Sequence, residues 1–213
     1  MSALDELYWG EVRNHYDERE EIHRQLLELH RNNNISEFVR LLLGVSNRAG
    51  NYSADDHKLG PQILNQNRNA ERQVGDLAAK FMALDTARAV PELIKKTGIH
   101  YLKIGVGSEA SCMVNPSVCW VANTRTIWTH VVIKHGDNFA KADEELKLYR
   151  TQDGTSEMAY QIWAAIHREL AASMTRIAEE GERLARAASV LPGSIKYLWA
   201  DAIANALYAS YYE

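Results

Sequence analysis

In the segment NTRTIWTH, Arg125 and His130 are of types that could carry phosphate chemistry. An imidazole titrating near neutral pH can take or give a proton. A guanidinium can hold the charge that builds on a phosphorane. The two stand five positions apart, one to two turns of a helix, and a similar spacing recurs at Arg24 and His30.

The Arg125-x4-His130 spacing resembles the R-x(4–6)-H signature of HEPN ribonucleases, a helical family. The resemblance implies that His130 and Arg125 would handle the ribose hydroxyl and the scissile phosphate. It also implies that two domains would pair to bring two such motifs together.

Other groupings suggest less. His15, His23 and His30 fall near one side of the first helical stretch, and Glu20 with His23 has the E-x-x-H spacing of carboxylate-bridged metal bundles. No second E-x-x-H completes that set, so no metal is assigned. Cys112 and Cys119 form a C-x6-C pair that would need remote ligands such as His57 or His100 to hold zinc. They read instead as small apolar residues. Gly105-x-Gly107 is followed by Ser108-Glu109, which puts an acid where a phosphate would sit, so these glycines read as turn residues. A helix–Gly–helix pattern over 126–150 has helix-turn-helix spacing. Its second helix carries Asp143, Glu144 and Glu145, which oppose a phosphate surface and favour a plain helical hairpin.

The remaining grouping is basic and aromatic. Lys95, Lys96, Lys103 and Arg125 interleave with Tyr101, Trp120 and Trp128, a mixture that suits single-stranded nucleic acid through charge and stacking. The overall charge is −4, but residues 41–134 carry eleven bases against seven acids, while each flank is net acidic. The charge is therefore unlike that of a strongly basic nucleic-acid binder, yet locally positive where these residues lie.

The chain has 213 residues and 46% hydrophobic content, ample for a packed core. Two cysteines are too few for a disulfide scaffold, the opening MSALDELYWGEV lacks a basic-then-apolar signal pattern, and no apolar run of membrane length exists. The expectation is a cytoplasmic protein without cofactor.

Periodicity predicts a long amphipathic helix over 3–31, a short one over 37–43 capped by Ser36, and others over 70–89, 92–96, 124–135 and 138–150. Two more are expected over 156–189, capped by Ser156, and over 195–211, capped by Ser194. Glu179–Arg183 and Glu182–Arg186 are spaced to pair on the outer face. Residues 44–69 read as a long loop with one helical turn near 62–64. Ile99–Val106 and Val118–Ala122 read as two strands joined by a turn. The expected fold is therefore mainly α, a bundle of seven or eight helices with a small β-hairpin-like insertion around 99–122. It reads as a single domain over 1–213, with candidate boundaries in 44–69 and at 151–155.

The functional expectation is a non-catalytic helical adaptor or complex subunit that binds a macromolecule through the 98–136 segment and the 44–69 loop. RNA or DNA, or a nucleoprotein complex, stands ahead of a protein partner, and homo-oligomer formation stays open. The binding residues would be Lys95, Lys96, Lys103, Trp120, Asn123, Arg125 and Trp128. The alternatives are a metal-independent ribonuclease using Arg125 and His130, and a small-molecule-binding enzyme or sensor.

Overall fold

The computed structural model describes residues 3–150 and 156–212. Among these residues every regular element is helical. The α-helices are α1 (Trp9–Arg31), α2 (Ile35–Leu42), α3 (Tyr52–Asp56), α4 (Leu59–Gln66), α5 (Ala70–Met82), α6 (Val90–Thr97), α7 (Ile104–Val114), α8 (Thr124–Lys134), α9 (Phe139–Leu146), α10 (Glu157–Ala187) and α11 (Lys196–Tyr212). No helix is long and apolar enough to cross a membrane among the described residues. The boundary expected at 151–155 lies outside them. By internal contacts the chain divides into two units, Glu18–Val121 and a second made of Met1–Asp17 with Ala122–Glu213; the division falls within α1.

The expected β insertion is absent. Residues 104–114 form α7, and 119–122 run without regular structure among the described residues. The misreading has a physical cause. Every residue of α7 except Gly105 is buried, so the helix shows no polar face and no 3.6-residue alternation. Its β-branched residues and small residues then resemble a strand followed by a turn. The small residues permit close packing: a Cβ on Gly107 would lie 2.5 Å from Ile94 Cδ1.

The expected loop at 44–69 is also largely helical, and with α7 it raises the helix count to eleven. Asn47 accepts from the Ala49 amide at 3.0 Å and Asn51 from the Ala54 amide at 3.0 Å, so the Asn-rich composition serves as caps. Asn51 is fully buried and donates to the carbonyls of Leu42 and Val106 at 3.3 and 3.0 Å. Beneath this segment lies a buried ion pair. Arg19, on α1, reaches Glu109 at 2.9 Å and donates to the Ala49 carbonyl at 2.7 Å. Glu109 also accepts from the amides of Tyr52 and Ser53 at 2.9 and 3.0 Å, and from the Ser53 hydroxyl at 2.6 Å. Its carboxylate thus serves the otherwise unsatisfied amides at the start of α3.

In the other unit, α8 begins with a capping box. Asn123 accepts from the amides of Arg125 and Thr126 at 3.0 and 3.1 Å, and Thr126 returns a bond to the Asn123 amide at 3.0 Å. Ser156 caps α10 through the Ala159 amide at 3.1 Å, as expected. The entry to α11 differs: the hydroxyl of Tyr16 accepts from the amides of Ser194 and Ile195, both at 3.1 Å, in the role expected of Ser194. Ser36 likewise donates to Glu71 at 2.9 Å, and Asn34 stands at the N-cap of α2. On α10, Arg186 pairs with Glu182 as expected, but Arg183 pairs with Glu180, one position nearer than Glu179.

His167, fully buried on α10, gives a prediction about acid stability. Burial, with a smaller contribution from Arg168, pushes its pKa from 6.5 to about 4. The unfolded chain therefore binds more protons between those values. Stability is fully present above 6.5 and falls as pH drops toward 4, by up to about 3 kcal/mol from this group. Urea unfolding at pH 7 and pH 5, where most carboxylates remain ionised, should show the loss. His167→Gln should lose less over the same interval.

Candidate nucleic-acid interface

Among the acid-free stretches of the Glu18–Val121 unit are 57–70 and 93–108. Each ends a helix and turns into the next. α6 closes at Gly98, whose φ of +63° suits glycine, with Lys95 and Lys96 exposed in its last turn. The chain then passes through His100, Tyr101 and Lys103, all exposed, and enters α7. α4 closes at Asn67, followed by exposed Arg68.

Asn67 joins the two turns. Its Nδ2 donates to the His100 carbonyl at 3.2 Å and to the Ile63 carbonyl at 2.9 Å. Its Oδ1 accepts from the His100 amide at 2.8 Å. One side chain thus satisfies both backbone groups of His100 and fixes the turn. It also brings the backbone of Arg68 beside the segment that bears His100 and Lys103. The segments so joined carry four exposed residues of formal positive charge, Arg68, Lys95, Lys96 and Lys103, which together are called the basic rim. The pair between Lys96 and Glu92, at 3.4 Å with both side chains exposed, is a weak competitor for a phosphate.

The expected binding residues are distributed as follows. Lys95, Lys96 and Lys103 are exposed on this rim. Trp120 and Trp128 are interior, 6% and 0% exposed, and present no open face to a base. Trp128 donates to Asp143 at 2.8 Å and packs among Phe139, Tyr208, Tyr211 and Tyr212. Asn123 is buried in its capping role, and Arg125 is half-buried in the first turn of α8. The first four residues (Lys95, Lys96, Lys103, Trp120) belong to one unit, and Asn123, Arg125, Trp128 and His130 belong to the other.

Arg125 and His130 lie on one helix, about 140° apart around its axis at 3.6 residues per turn. His130 is 8% exposed, with Nδ1 2.7 Å from the Ser173 hydroxyl. Burial lowers its pKa, partly countered by Glu169, so the ring is neutral at pH 7. A neutral, enclosed imidazole turned away from its arginine is a poor partner for a shared phosphate.

The other sequence candidates have structural roles. His23 Nδ1 is 2.6 Å from the Met113 carbonyl, and the His30 ring lies 5.5 Å from that of Phe38. Both cysteines are buried and unbridged, and burial pushes the Cys119 thiol up to about 12, far from a nucleophile's range. Among the described residues no cluster of three or more His, Cys, Asp or Glu side chains could hold a metal ion. Two of the three acids of α9, Asp143 and Glu145, bond to α8 and its C-terminal end, while Glu144 is exposed. Partial burial works to raise the pKa of Asp143, but bonds from Tyr212, Trp128 and Tyr211 outweigh it and leave the carboxyl lowered. Glu145 takes Lys134 and His135, each at 2.7 Å.

Sequence reasoning missed Arg68, Asn67 and His100. The two acid-free stretches were visible in it, but only the fold shows that Asn67 joins them. No family model, curated protein or solved structure matches the chain.

Proposed function

We propose that the chain is a non-catalytic helical subunit that binds nucleic acid along the basic rim of the Glu18–Val121 unit. The observation that carries this reading is the bridge from Asn67 to His100, which joins two acid-free turns bearing Arg68, Lys95, Lys96 and Lys103. Nucleic-acid affinity of this kind comes mainly from releasing counterions as cations meet phosphates. A rim of four cations would contact about three or four phosphates, and log K should then fall with log salt at a slope of about −2 to −3.

Fluorescence anisotropy of labelled RNA and DNA oligonucleotides, titrated with protein from 50 to 200 mM salt, tests this. Joint substitution Lys95→Glu and Lys103→Glu should weaken binding and lower the slope by about two, since each lysine lost removes about one. Both positions are exposed, so the melting temperature should hold. Affinity that stays flat across the salt range would refute the reading. The oligonucleotides should be recovered intact.

A further inference from the structure

Tyr101 has a φ of +68°, in the left-handed region that bulky side chains seldom enter. Such a conformation persists only where its surroundings impose it. Here they do: Asn67 binds both backbone groups of His100, Leu102 donates to the Ile99 carbonyl at 3.3 Å, and the Lys103 amide donates to the carbonyl of Tyr101 itself at 3.1 Å. The residue is 38% exposed, and among the described residues Tyr101 stacks on no other ring and its hydroxyl makes no hydrogen bond. A glycine there would relieve the backbone.

We infer that Tyr101 is a stacking platform for an unpaired base, and that the partner of the basic rim is single-stranded nucleic acid. The inference rests on the nucleic-acid reading above and narrows it. Lys103 follows Tyr101 closely and Lys95 and Lys96 precede it, so a backbone crossing these cations would pass beside the exposed part of the tyrosine. In a duplex the bases are already stacked on one another and cannot use that face. An unpaired base can, whatever its identity, because every base has a π-face. Asn67 is then a positioning residue, holding the turn that carries Tyr101.

The test compares a labelled twelve-nucleotide single strand, as RNA and as DNA, with the duplex of the same sequence. The wild-type chain should prefer the single strand. Tyr101→Gly should lower single-strand affinity about tenfold or more while its melting temperature is unchanged or raised, a combination that a merely structural tyrosine would not give. Tyr101→Phe, which keeps the π-face, should retain most of the affinity. Equal binding of duplex and single strand, or full affinity in Tyr101→Gly, would overturn the stacking inference and leave the phosphate reading standing. Absence of binding to every oligonucleotide would instead remove the nucleic-acid reading itself.

Discussion

Arg19→Met is expected to unfold the Glu18–Val121 unit under conditions where the wild-type chain is stable. Arg19 and Glu109 are 0% and 1% exposed. Removing the cation leaves a buried carboxylate facing two amides and a hydroxyl with its charge uncompensated. Breaking a buried ion pair on one side costs about 3–5 kcal/mol, a large fraction of the whole stability of a domain. Glu109→Gln should cost a similar amount: it strands the guanidinium and keeps only one oxygen to receive the amides of Tyr52 and Ser53. The double variant Arg19→Met with Glu109→Gln should be less damaged than the sum of the two, because no charge remains buried. Denaturant unfolding of the three variants checks this. Additive losses would mean that the pair does not act as one unit.

Gly50→Ala is expected to have a comparable effect by a different route. A Cβ at that position would sit 1.8 Å from the Leu41 carbonyl oxygen, closer than any two such atoms can be. The obstacle is backbone, so no side-chain rotation relieves it. The segment from Gly44 to Asp56 would have to lift from the end of α2. That movement would pull Asn51 from the carbonyls of Leu42 and Val106 and draw Tyr52 and Ser53 from Glu109. The loss should be about 3 kcal/mol or more, at the upper end of what overpacking costs. Thermal melting is the measurement. Gly98→Ala is the control: it has open space around the added atom, though a strained φ of +63°, and should lose much less.

The legible parts of the fold were the helices with a wet side. α1, α5 and α10 each alternate buried and exposed positions, so spacing in the sequence revealed them, and Ser156 marked the start of α10 by side-chain chemistry. What could not be read shares one cause: the missing signal was supplied by tertiary contact. α7 is enclosed, so its pattern carries no period. The 44–69 segment looked like a loop because Asn, Gly and Asp dominate it. Two of them, Asn47 and Asn51, cap short helices there, and the acceptor for Tyr52 and Ser53, Glu109, lies more than fifty positions away. At the candidate site, charge and spacing single out Lys95, Lys96 and Lys103, and all three are exposed. Trp120 and Trp128 were misjudged because an aromatic between bases looks the same in sequence whether it faces water or the core. Tyr101 could be told from them only by its backbone and its exposure.

The enclosure of α7 has a further consequence. A helix with no outward side offers no position that can change alone, since each residue from Ile104 to Val114 other than Gly105 meets a neighbour that must change with it. Tolerance for sequence drift in this unit is therefore concentrated at its periphery, where a new substituent meets only solvent. The rim that bears Tyr101 belongs to that periphery, so its chemistry can be retuned without disturbing the packing beneath it.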